Sequence, residues 1–218
     1  DAEEASGVLV CAVLISLGGG VLMWLLVILF GPLLYHSATD NVTVIESARY
    51  YAALLFPVIP AYWLINMLSS VLRGSGDMKR PALAAASLLA SYILLAWRLI
   101  PLDGSSTIRA IEGAAFAMAG SYVFAAALVI YFVVHPSQPI RFRISAFRSE
   151  LLARILKQGL LAATQSVMTI VYAMVTTVIF SAYGTDWLAG FGLAVRLELI
   201  MVPVIFGIGA SMIAIVGA

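Results

Sequence analysis

Charge is what this sequence has least of. Only 11% of its 218 residues are Asp, Glu, Lys or Arg, against about 25% in a soluble domain. That is too little to cover a water-facing surface, so a soluble fold is excluded. The single cysteine, Cys11, can form neither an internal disulfide nor the cysteine cluster of a structural zinc or iron–sulfur site. The two histidines, His36 and His135, have no acidic or cysteine neighbour at ligand spacing. A phosphate-cradling G-x-x-x-x-G-K-[ST] loop is missing, so ATP-driven transport has no basis here. A net charge of +1 leaves no footprint for nucleic acid. Neither an enzyme nor a bound cofactor or metal is expected. The chain opens on Asp1 with no basic leader and stops inside an apolar run at Val216-Gly217-Ala218, which reads as an internal fragment without a signal peptide.

What is present is apolar length. Hydrophobic residues make up 63% of the chain and mean hydropathy is +1.06. Six stretches, near 8–30, 50–71, 81–100, 113–134, 158–182 and 187–216, can each cross about 30 Å of hydrocarbon at about 1.5 Å per residue. They are too long for barrel strands and do not alternate. The expected fold class is all-α: a polytopic helical membrane protein with six transmembrane helices. Arg73, Lys79, Arg80, Arg141, Arg143, Arg148, Arg154 and Lys157 fall on one side of the membrane, and Arg49, Arg98 and Arg109 on the other. The positive-inside rule then places the N-terminus in the cytoplasm.

The longest polar connection runs from His135 to Gln158, with Pro136 and Pro139 stopping the preceding span. Residues 145–157 read either as a short amphipathic helix at the cytoplasmic interface or as part of an ordinary basic connecting loop. Three parts follow: 1–134 with four helices, a basic link over 135–157, and 158–218 with two helices.

Breaker-type residues fall in three spans: Gly18-Gly19-Gly20 in the first, Pro57 and Pro60 in the second, and Pro203 with Gly207 and Gly209 in the last. They either interrupt the helix beside a substrate site or, as Gly does in ordinary membrane helices, permit close packing. Polar residues inside spans are costly in hydrocarbon and face the bundle interior or a cavity. In the fifth span Gln165, Thr169, Tyr172 and Thr176 share one helical face. In the second, Tyr62 and Asn66 are four apart, and the amide has several hydrogen-bonding positions to satisfy. Arg196 and Glu198 are the charges well inside a span, roughly 14–17 Å along the last helix. Two residues apart, they point about 200° away from each other and cannot pair. A desolvated carboxylate suits reversible binding of H+ or Na+, and a structural ion pair with another helix is the alternative. On these grounds Glu198, Arg196, Tyr172, Thr169, Gln165, Asn66 and Tyr62 are the candidates for a substrate or cation pathway.

After the second span comes Val71-Leu-Arg-Gly-Ser-Gly-Asp-Met-Lys-Arg-Pro81. Its glycines allow a tight turn, Asp77 can cap the next helix, and Pro81 suits that helix's first turn. With Arg73, Gly74, Gly76, Asp77 and Pro81 in place, the segment resembles the L-R-G-x-G-D-x-[basic]-x-P inside loop of the multidrug and toxin extrusion (MATE) family. Ile111 to Ala117 resembles the opening of that family's sixth helix, with Ala110 where a glycine is common. Leu188 to Glu198 and Pro203 to Ala218 resemble its eighth helix, and Asp1 to Ala5 the loop after its second.

The resemblance covers helices three to eight of an expected twelve-helix, two-lobe transporter. It implies a secondary antiporter that exports cationic or amphipathic drugs in exchange for H+ or Na+ by alternating access. Its partners would be small organic cations and the lipid bilayer, its state monomeric when full length, and its location the cell (inner) membrane as a multi-pass protein. Departures from the family pattern are the polar stripe in place of an acidic residue on the seventh helix, and Ser91 where an Asn is usual on the fifth. Alternatives are a lipid or lipid-linked oligosaccharide flippase of the same superfamily, which would line its cavity with several cations, and a membrane scaffold that transports nothing.

Overall fold

A computed structural model describes residues 2–38, 42–101, 107–135, 142 and 144–216. Asp1, Pro136, Pro139, Arg141, Arg143, Gly217 and Ala218, named above, lie outside the described residues. Among the described residues the chain is helical, with no strand. Its helices are α1 (Ala2–Ala38), α2 (Val42–Leu55), α3 (Ile59–Gly74), α4 (Lys79–Leu99), α5 (Thr107–Val134), α6 (Ser149–Ala182) and α7 (Thr185–Val216). Six segments are long and apolar enough to cross a membrane: Glu4–Leu33, Ile45–Gly74, Lys79–Leu99, Ile108–Val134, Ser149–Phe180 and Gly190–Gly209. The chain divides into two compact units, Asp1–Phe147 and Arg148–Ala218.

Only one of the three breaker sites interrupts its helix. Between α2 and α3 the backbone tightens into a 3-10 turn over Phe56–Val58. Pro57 and Pro60, three residues apart, each remove a backbone donor and crowd the carbonyl four residues back, so two neighbouring helical bonds are lost together. The glycine triplet and the Pro203–Gly209 region leave α1 and α7 continuous. Glycine keeps its N–H, and no water competes for the backbone inside an apolar span, so the helical ladder persists. A lone proline, such as Pro32 within α1, removes one bond without unwinding the helix.

The reading of 145–157 as a separate amphipathic helix is corrected. Ile144–Ala146 is a 3-10 turn, and from Ser149 one helix runs unbroken into the fifth span. Gly159 is the sole breaker-type residue at the junction and has open space around it, so nothing stops the helix.

Within the first unit, packing relies on small residues. Lipid tails are as apolar as leucine, so helix association here depends on close approach rather than on escape from water. The α5 stripe Gly113, Ala117, Ser121, Ala125, Val129 and Val133, spaced by four, is buried throughout. At its start a Cβ on Gly113 would overlap the Leu99 carbonyl at the end of α4. The core joins Leu9 of α1, Ile65, Leu68 and Leu72 of α3, Ala84 of α4, and Ala125, Ala126 and Val129 of α5. The glycine triplet sits where α1 meets the proline turn. A Cβ on Gly20 would strike the Pro60 backbone, and one on Gly19 would strike the Trp63 ring. Beside them the buried Ser16 hydroxyl lies 2.6 Å from the Ala12 carbonyl and 3.4 Å from the Trp63 carbonyl across the helix pair.

The glycine-rich loop closes as the sequence predicts. Gly76 has φ of +83°, its N–H donates to Arg73 O at 3.0 Å, and the Asp77 N–H reaches back to Leu72 O at 3.0 Å. These are the paired bonds of a Schellman C-cap, which needs a left-handed residue at this position. Asp77 Oδ1 then accepts from the Lys79 and Arg80 N–H groups, each at 3.1 Å, and Asp77 Oδ2 pairs with Arg80 at 3.2 Å. One residue thus serves the end of α3 and the start of α4. Asp77→Ala removes the carboxylate acceptor and is expected to cost about 1 kcal/mol, readable as a lower thermal unfolding midpoint in detergent. An unchanged midpoint would remove the cap from the structural account.

The second unit is a helical hairpin. Tyr183 and Gly184 (φ +110°) make the turn, and Phe180 stacks on Phe191 at 4.7 Å with 15° between the ring planes.

Candidate functional site

Helix α3 has two unlike faces. Ile65, Leu68, Ser69 and Leu72 are buried, while Tyr62, Asn66, Ser70 and Gly74 are exposed at spacings of four. Along that uncovered face the polar groups link up. The Asn66 amide donates to Tyr62 O at 2.9 Å, the Ser70 hydroxyl to Asn66 O at 2.9 Å, and the Arg73 guanidinium to Ser70 Oγ at 3.0 Å. The Ser70 hydroxyl and the Arg73 guanidinium are thereby oriented along the stripe. A stripe of this kind in a span is costly against lipid, so it belongs against a cavity or another helix.

At the top of the stripe the Tyr62 ring packs on Tyr122 of α5, centroids 5.2 Å apart and planes tilted by 42°. Tyr51 of α2 and Tyr92 of α4 lie close enough to Tyr122 to interact electrostatically. Tyr62 and Tyr122 thus offer ring faces beside the α3 stripe, with Tyr51 and Tyr92 within electrostatic range of Tyr122. The Tyr51 hydroxyl points at Met118 Sδ, 3.9 Å away. Tyr51 also lines a cleft of about 520 Å³ with Tyr35, Ser47, Phe56 and Ile111, within the size range of small-molecule sites. Next to it Tyr50 of α2 lies close enough to Glu112 of α5 to interact electrostatically.

The other sequence candidates lie on the second unit. Gln165, Thr169 and Tyr172 are exposed along one side of α6. Thr169 donates to Gln165 O at 3.1 Å and Thr176 to Tyr172 O at 2.8 Å, so both threonines are satisfied by their own helix. Thr164, Ser166 and Thr177 bond back in the same way on other faces, which makes the α6 stripe less distinct than the spacing suggested. Arg196 and Glu198 are exposed on α7, and neither forms an ion pair among the described residues. A cleft of about 490 Å³ between α6 and α7 is lined by Phe180, Trp187, Gly190, Phe191 and Ala194, none of them a sequence candidate. Among the described residues no group of three His, Cys, Asp or Glu side chains comes together to hold a metal.

Sequence reasoning found Tyr62 and Asn66 but not Ser70, Tyr51, Tyr92 or Tyr122. Ser70 was within reach, since it continues the spacing of four. The tyrosines come from four separate spans, and no local pattern connects them.

The sequence model of the MatE family matches residues 1–97, from α1 through most of α4 and including the Gly-Ser-Gly-Asp turn. No curated protein matches the sequence.

Proposed function

We propose that the chain is part of a multi-pass membrane transporter of the MatE family, whose sequence model matches residues 1–97, and that it works as a secondary antiporter exporting cationic or amphipathic compounds in exchange for H+ or Na+. Proteins of this family are transporters rather than enzymes. The observation that carries the proposal is the uncovered polar face of α3 with its tyrosine cluster. Aromatic faces attract organic cations, and a polar stripe across a span supplies the wet side of a translocation path. Arg73 is the one cation on that stripe, at its end. This favours cation export over a lipid-pyrophosphate flippase, which needs several cations to hold its substrate.

In this reading residues 1–134 and 158–218 contribute to two lobes joined by the basic 135–157 segment, with the N-terminus cytoplasmic in the cell (inner) membrane. The lobes rock about the central path. A transmembrane potential supplies about 2.3 kcal/mol per charge per 100 mV, enough to drive export without ATP. Glu198 is the proposed coupling carboxylate, with Arg196, Gln165, Thr169 and Tyr172 lining the path on the second lobe.

The test is ethidium efflux by the full-length protein in vesicles, with H+ and Na+ gradients collapsed one at a time. Efflux should stop when one of the two is removed, and Glu198→Gln should uncouple it from that gradient. Efflux indifferent to both gradients would end the antiport reading, and unaltered coupling in Glu198→Gln would reduce Glu198 to a structural role.

A further inference from the structure

We infer that the outer flank of the α1–α2 pair is a binding site for an anionic phospholipid, with the phosphate on Arg49 and one acyl chain in the cleft beside it. That cleft is about 190 Å³ and lies along one face of each helix. Helix α1 contributes Trp24, Val27, Ile28, Pro32 and Tyr35, and α2 contributes Ala52 and Ala53 next to Arg49. The two alanines are what leave the groove open.

Three observations choose the occupant. The cleft is smaller than the roughly 300–1,000 Å³ of drug-sized sites, so it suits a narrow chain rather than a bulky solute. The segment carrying Arg49 starts its span at Ile45, which puts the guanidinium within about 6 Å of the span's end along the helix, where lipid phosphates lie. Arg49 is exposed and makes no ion pair among the described residues. Glu46, one turn earlier, is the nearest acidic residue on the same helix, is exposed, and does not pair with it. An arginine at the mouth of an apolar groove, flanked by a tryptophan and a tyrosine, matches the amphipathic chemistry of one lipid with a negative headgroup. The larger neighbouring cleft shares Val27, Tyr35, Ala52 and Phe56 with it, but no charged side chain lines that one.

The test is native mass spectrometry of the full-length protein in detergent, titrated with phosphatidylglycerol, phosphatidylcholine or inorganic phosphate. The unaltered protein should retain one phosphatidylglycerol with about fivefold preference over phosphatidylcholine, the size that one interfacial arginine supplies. Arg49→Gln should abolish the preference. Ala53→Trp, which fills the groove while keeping the charge, should release both lipids. Equal retention of the two lipids by the unaltered protein would overturn the proposal, and so would an undiminished preference in Arg49→Gln. Displacement of the lipid by inorganic phosphate would reduce the site to a simple anion contact, and full retention by Ala53→Trp would remove the chain from it.

Discussion

Gly20→Val and Gly113→Val should each cost up to about 3 kcal/mol, the upper end of what overpacking costs, enough to lose much of the folded protein from the membrane. Both glycines face backbone rather than side chain. A Cβ at Gly20 meets the Pro60 backbone, and one at Gly113 meets the Leu99 carbonyl. A flexible side chain can swing aside from an intruding methyl, but backbone held in two helices cannot. The helices must part, and overpacking of this kind typically costs about 1–3 kcal/mol, occasionally more. Gly18 supplies the control two residues away, because nothing lies within 4 Å of a Cβ there. Gly18→Ala should leave stability within about 0.5 kcal/mol of the original. Gly19→Ala should fall between, since the Trp63 ring is what it displaces. Fluorescence-detected size exclusion after graded heating ranks the four variants. Equal midpoints for Gly18→Ala and Gly20→Val would refute the α1–α3 crossing described above.

The second large effect is on transport. Tyr62 is 44% exposed and packs on Tyr122 with the ring planes tilted by 42°, so its ring can be removed with little loss of packing. Under the proposed function Tyr62→Ala should lower the export rate of an aromatic cation about tenfold or more, because a partly desolvated cation–π contact contributes up to about 2 kcal/mol. Tyr62→Phe keeps the ring face and should retain most of the rate. The comparison separates a binding role for the ring from a role for the hydroxyl. Efflux assays on matched amounts of folded protein decide it, and equal activity in Tyr62→Ala would remove the tyrosine cluster from the pathway.

The two predictions show where local pattern suffices. The six spans were legible because length and hydropathy are local properties with a fixed requirement, the thickness of the hydrocarbon. The loop from Arg73 to Pro81 was legible for a similar reason: a left-handed glycine, a capping Asp and a first-turn Pro each act within a few residues. Pro57 and Pro60 broke their helix because two lost donors fell close together. The glycine triplet was open to two readings. Glycine marks either a weak helix or a close neighbour, and the neighbours here, Pro60 and Trp63, are about forty residues away in sequence.

The unbroken α6 has the same lesson in reverse. Residues 149–157 are amphipathic, yet amphipathicity does not say where a helix stops, and no breaker follows Lys157 strong enough to stop it. At the candidate site Tyr62 and Asn66 stood out because a polar side chain in a span is costly wherever it points. That Tyr51, Tyr92 and Tyr122 join them depends on the packing of α2, α4 and α5, which the α5 small-residue stripe makes possible only once the helices are assembled.

The uncovered polar face of α3 can be tested directly through water access. Cys11, the only cysteine, is buried at 0% exposure, so the unaltered protein supplies little background for thiol labelling. Cysteine placed at Asn66 should react with a membrane-impermeant maleimide in the full-length protein, and ethidium should protect it. Cysteine at Leu94, 60% exposed on the apolar surface of α4, should stay unlabelled against lipid. Labelling at 66 but not at 94 is the predicted result; an Asn66→Cys protein that resists the reagent as fully as Leu94→Cys, whichever way the gradient runs, would contradict a water-filled path along α3.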